Sequence, residues 1–138
     1  MITIKRSFIA LFLLTVVFSS CKKAEYNIGD IITPTGLALN TVVVGTDAAN
    51  PFGNGTGKVD ITVTAANALS YKIDFGDGTA PQLVPTGVIQ YRYGAPGTAE
   101  YNITVNAIGT AGVMSTITKK VKVFVNFQIP AAILQNLT

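Results

Sequence analysis

The chain has 138 residues, 49% of them hydrophobic and 12% charged, with one cysteine, no histidine and no tryptophan. That length fits one ordinary domain behind a short leader and leaves no room for a two-domain enzyme. Without histidine the commonest general base and metal ligand are gone, one cysteine excludes an internal disulfide or a cysteine-built zinc site, and 10 scattered basic residues against 7 acidic ones leave no nucleic-acid footprint.

Residues 1–20 read as a signal peptide. Lys5 and Arg6 form its positive start, and Phe8 to Phe18 is an apolar run broken only by Thr15. The run is shorter than the roughly 20 residues a membrane-spanning helix needs. Without Lys5 and Arg6 the balance is 8 basic residues against 7 acidic, so the net charge carries no information about partners.

The segment Phe18-Ser19-Ser20-Cys21 resembles a bacterial lipobox, although Phe18 stands where that pattern prefers Leu, Val or Ile. The resemblance implies that Cys21 is acylated, becomes the first residue of the mature protein and holds it in the outer membrane. The plainer alternative is an ordinary signal peptide cut nearby, with an incidental thiol. One acyl chain holds a protein only marginally, whereas several hold it firmly. Residues 21–35 read as a lipid-anchored tether. Lys22 and Lys23 leave open whether the domain faces the cell surface or the periplasm.

From residue 36 to 125 short β-rich runs alternate with Gly, Pro, Asn and Asp clusters, which predicts an all-β antiparallel sandwich of six or seven strands. Leu37 to Val44 forms the first strand, and Asp47 to Gly57 is a long loop rich in Gly and Asn. Val59, Ile61 and Val63 alternate with polar residues in the second strand; after a turn at Asn67, Leu69, Tyr71, Ile73 and Phe75 do the same. Gly76-Asp77-Gly78-Thr79 is a tight turn in which the glycines accept positive φ and Asp77 bonds its own backbone. Strands follow at Val88–Tyr93 and from Tyr101 to Ala107, and the last carries Ile117, Val121, Val123 and Val125 on one face. Lys119 breaks that parity, which predicts a bulge or an edge position. The segment 126–138 is apolar at Phe127, Ile129, Ile133, Leu134 and Leu137. It reads either as the lead-in to a further domain or as a cover for a sheet edge of this one.

Three stretches carry a family resemblance: Tyr71-Lys72-Ile73-Asp74-Phe75-Gly76-Asp77-Gly78-Thr79, Tyr91-Arg92-Tyr93-Gly94-Ala95-Pro96-Gly97, and Tyr101-Asn102-Ile103-Thr104-Val105. Together they resemble the PKD (polycystic kidney disease) domain, across roughly residues 36–125. Ile73 stands where that family often has Trp, and Ala99-Glu100 lengthens the approach to Tyr101. The resemblance implies an immunoglobulin-like β-sandwich on extracellular proteins, often beside catalytic or carbohydrate-binding modules, with no chemistry or cofactor of its own.

The residues that could carry chemistry are few. Asp74 and Asp77 flank one turn and could lend oxygens to Ca²⁺ or act as an acid/base pair. The plainer reading has Asp77 organising the turn and Asp74 facing solvent. No Ser-His-Asp set and no phosphate-cradling loop before a helix is present in the sequence, so the expectation is a non-enzyme without cofactor or metal. For sugar stacking, Tyr71, Phe75, Tyr91, Tyr93 and Tyr101 lie on core parity. That leaves Phe52 in the long loop, Phe124 on the polar parity of the last strand, and Phe127 beyond it. The expected function is a cell-envelope lipoprotein whose PKD-like module spaces or presents a partner in polysaccharide capture or degradation. The alternative is a glycan- or protein-binding module using loop 45–57 and the last strand. The expected partners are the membrane, through Cys21, and polysaccharide or a neighbouring glycan-active protein.

Overall fold

The computed structural model describes residues 29–127. The signal peptide, Cys21, the tether as far as residue 28 and the apolar tail from residue 128 lie outside the described residues.

Seven strands form two antiparallel sheets: β1 (Thr35–Val43), β2 (Lys58–Ala66), β3 (Ser70–Asp74), β4 (Gln82–Val84), β5 (Val88–Arg92), β6 (Gly97–Ile108) and β7 (Met114–Val125). Their order is β1-β2-β5 in one sheet and β4-β3-β6-β7 in the other. The two inner faces share one hydrophobic core, which makes this an immunoglobulin-like sandwich of three strands against four. Period-2 alternation decides which side chains enter it. Val59, Ile61 and Val63 point inward from β2, Tyr71 and Ile73 from β3, Ile103, Val105 and Ala107 from β6, and Val121, Val123 and Val125 from β7. Among the described residues the only helical element is a single 3₁₀ turn, Thr110–Gly112, between β6 and β7.

Several local expectations need correcting. β4 is a separate strand that pairs with β3 through Tyr71↔Val84, Lys72↔Leu83 and Ile73↔Gln82. Its three residues are too short to show an alternation. Leu69 lies before β3 in the turn at Asn67 and is 66% exposed, so it does not share the inward face of Tyr71 and Ile73. Lys119 marks an edge and not a bulge: the β6–β7 register runs unbroken through Ile103↔Lys119, and β7 is the outer strand of its sheet. An inward-facing charge on an edge strand discourages pairing with another chain. The register shift falls instead in β1, between Thr35 and Ala38.

Part of the segment before β1 is fastened to the sandwich. The Ile32 amide donates to Thr110 Oγ1 at 3.0 Å, and Ser115 Oγ donates to the Pro34 carbonyl at 2.6 Å. Pro34 is buried.

The two glycines of the β3–β4 turn test how the fold is held there. Both have positive φ, +74° at Gly76 and +84° at Gly78. A Cβ on Gly76 would sit 2.5 Å from the Asn102 carbonyl oxygen, whereas one on Gly78 would meet nothing within 4 Å. Gly78→Ala should therefore lose only the conformational term of about 1–2 kcal/mol. Gly76→Ala should lose more, about 3 kcal/mol or above, because the turn must also move away from β6. Urea-unfolding midpoints of the two variants measure the difference, and equal losses would contradict this packing.

Candidate functional site

The turn after β3 is built by side chains reaching back to backbone. Asp74 ends β3, is half-buried, and accepts the Gly76 amide on Oδ1 at 2.9 Å. It thus caps the turn from the outward face of the last β3 position. Asp77 Oδ1 accepts the Thr79 amide at 3.0 Å and the Thr79 hydroxyl at 2.6 Å. Asp77 Oδ2 accepts the Tyr91 hydroxyl at 2.6 Å. Gly76-Asp77-Gly78 is therefore a structural turn whose central carboxylate is tied across to β5.

Tyr91 continues into an aromatic ladder. Its ring stacks on Phe75 with centroids 3.6 Å apart, meets Tyr93 edge-on at 5.0 Å, and Tyr93 stacks on Tyr101 at 3.9 Å. The buried Tyr93 hydroxyl donates to the Phe75 carbonyl at 2.9 Å. Burial in this ladder raises the Tyr93 phenol well above its ordinary range, and nearby Asp77 and Tyr91 push the same way. Burial also raises Tyr91, helped by its bond to Asp77. For Asp77 desolvation pushes the carboxyl up, but the hydrogen bonds from Thr79 and Tyr91 together outweigh it and hold the group below the usual carboxylate range. A coupled Asp–Tyr pair of this kind resembles a catalytic arrangement on paper. Here its acceptor oxygens face the protein's own donors, and the rings it touches belong to the core.

The second candidate region is loop 45–57 with the end of β7, and the structure brings them together. The Phe124 amide donates to the Phe52 carbonyl at 2.8 Å, the Asn126 amide donates to the Gly55 carbonyl at 2.9 Å, and Thr56 bridges to Val125. The loop thereby satisfies backbone donors on the outer edge of β7. Phe52 is half-buried under Lys122, whose Nζ lies 4.5 Å from the ring centroid. Phe124 and Phe127 are 38% and 67% exposed. An open hollow of about 320 Å³ is lined by Asn54, Gly55, Thr56, Lys58, Arg92 and Asn126. Sequence reasoning pointed to the loop and to the phenylalanines but missed Lys58, Arg92 and Asn126. Arg92 sits in the motif stretch Tyr91-Arg92-Tyr93, flanked by two ladder tyrosines, and its polar parity was the one available signal.

No protein-family model matches the chain, and no curated protein matches it. Among solved structures it is similar to the PKD1 domain of the Vibrio cholerae metalloprotease PrtV, at 22% identity and a TM-score of 0.48 over 67% of this chain and 99% of that one. It is also similar to the PKD1 domain of Vibrio anguillarum Epp, at 18% identity and a TM-score of 0.48 over 70% of this chain and 99% of that one. The sandwich described above rests on this chain's own strand pairing.

If Asp77 serves the turn, its ionisation should appear in stability and not in metal dependence. A carboxyl held low in the folded state contributes stability that is present above its unfolded pKa of about 4 and is lost as pH falls through the folded value. The melting temperature should accordingly drop below about pH 4, and Asp77→Asn should flatten that part of the profile. At neutral pH Asp77→Asn should cost about 1 kcal/mol, because the amide keeps the turn geometry but loses charge assistance. Chelator should leave the melting temperature unchanged; a fall of several degrees would overturn the structural role in favour of calcium bound by Asp74 and Asp77.

Proposed function

We propose that the chain is a non-catalytic cell-envelope lipoprotein, anchored in the outer membrane by an acylated Cys21, whose PKD-like sandwich spaces or presents a partner in polysaccharide capture or degradation. The observation that carries the non-catalytic reading is the engagement of Asp77. The most chemically suggestive group of the motif accepts from Thr79 and Tyr91 and so serves the fold. The lipoprotein reading is supported by the lipobox-like Phe18-Ser19-Ser20-Cys21 directly after a short apolar run. Residues 21–35 then link the anchor to the sandwich, 36–125 form the presenting domain, and 126–138 lead toward a further module or cover a sheet edge. Neither a cofactor nor nucleic acid enters this reading.

A second reading, a glycan- or protein-binding module, is favoured by one observation. Loop 45–57 borders an open hollow together with Lys58, Arg92 and Asn126, and the exposed ring of Phe124 lies against Gly55 in its wall.

Two experiments test these readings. Cys21→Ser should shift the chain from the membrane fraction to a soluble or unprocessed form, and intact-mass measurement of the membrane-extracted protein should show added acyl chains. An unmodified mass would sink the lipoprotein assignment. Retention on insoluble polysaccharides separates spacer from binder: a pure spacer passes through, whereas a binding module is held.

A further inference from the structure

The hollow beside loop 45–57 has an unusual charge arrangement. Lys58 and Arg92 are directly opposite each other in the β2–β5 register, on the exposed side of the sheet. Like charges placed across an antiparallel pair repel and weaken the sheet. Among the described residues neither is in an ion pair; the one salt bridge there joins Lys120 to Glu100. The carboxylate on the same face of β2, Asp60, accepts instead from Gln90 at 2.8 Å. Two cations therefore share a hollow whose lining contains no acid.

The loop fixes one of these cations in place. Arg92 Nε donates to the Thr56 carbonyl at 3.2 Å, which fixes the guanidinium, and among the described residues its two terminal nitrogens have no partner. Asn54 Oδ1 accepts the Thr56 amide at 3.3 Å and its hydroxyl at 2.8 Å, and its amide nitrogen packs against Gly45, so the side chain holds the wall of the hollow in place. Gly55 lets the loop lie close against the end of β7: a Cβ there would lie 2.9 Å from Asn126 Cβ and 3.4 Å from the Phe124 ring. A volume of about 320 Å³ is at the small end of ligand-binding cavities, suited to one ring-sized unit. A guanidinium fork matches a carboxylate in plane, and a second cation beside it adds to the attraction for that charge.

We infer that this hollow binds the carboxylate of a uronic-acid unit in an acidic polysaccharide, with Arg92 and Lys58 neutralising the charge and the Asn54–Thr56 segment and Asn126 walling the sugar ring. The inference rests on the binding-module reading and gives it a substrate class. Amide shifts of the full detergent-solubilised chain, titrated with trigalacturonic acid, galactotriose and a triglutamate peptide, test it. Trigalacturonic acid should move the amides of Asn54, Gly55, Thr56 and Asn126 and bind at least tenfold more tightly than either other probe. Lys58→Gln and Arg92→Gln should each weaken that binding fivefold or more. Because Arg92 also holds the loop, Lys58→Gln, which breaks no side-chain hydrogen bond among the described residues, is the decisive variant. Equal binding of galactotriose would overturn the acidic-sugar assignment while leaving a neutral glycan binder. Tighter binding of triglutamate would overturn the glycan in favour of an acidic protein segment. No shift with any probe would overturn both the inference and the binding-module reading.

Discussion

The Tyr93 hydroxyl and the Phe75 carbonyl form the contact on which the rest of the molecule is arranged. Phe75 follows β3 in one sheet and Tyr93 follows β5 in the other, so their hydrogen bond joins the two layers at the point where the chain turns. A buried carbonyl without a partner would cost about 1–3 kcal/mol, so the phenol is a requirement of closing the sandwich there and not a decoration. Rings then stack outward from it in both directions, to Tyr101 on β6 and through Tyr91 to Phe75. Such pairs add about 0.5–1.5 kcal/mol each beyond the area they bury. Asp77 ends the series by holding the Tyr91 hydroxyl. The three stretches that carry the family resemblance are thus one physical object, a ladder with a turn at its head.

This arrangement separates the parts of the molecule that hold it together from the parts free to meet something else. The ladder and the β3–β4 turn are internally satisfied and offer little to a ligand. Loop 45–57 is different in kind. It covers the outer edge of β7 with its own carbonyls, and in doing so it builds a wall beside the exposed end of β2 and β5. Edge protection and the hollow therefore have one origin. A spacer needs only the first; the acid-free pairing of Lys58 with Arg92 is what the spacer role leaves without an explanation.

Much of this was legible in the sequence, because parity is a local property. Val59-Ile61-Val63 and Val121-Val123-Val125 show their inward faces without knowledge of any partner strand. Gly76 and Gly78 announce a positive-φ turn in the same local way. What could not be read depended on register between distant strands. Lys58 and Arg92 are 34 positions apart, and only the β2–β5 pairing makes them neighbours. The bond from Tyr91 to Asp77 likewise requires β5 and the β3–β4 turn to meet across the sandwich. β4 escaped because three residues cannot display a period, and Leu69 misled because its parity continued one step past the end of the strand. The long loop was legible as a loop and a candidate binding segment, but not its attachment, since its hydrogen bonds go to a strand some seventy residues away.

The most direct test of the central claim, that the motif's carboxylate belongs to the aromatic ladder, is a double-mutant cycle on Asp77→Ala and Tyr91→Phe, read by urea unfolding at neutral pH. The account predicts that the two losses are not additive, with a coupling of about 1–2 kcal/mol, because each substitution removes the same charge-assisted hydrogen bond. Additive losses, with coupling indistinguishable from zero, would contradict it and return Asp77 to the list of groups free to serve a ligand.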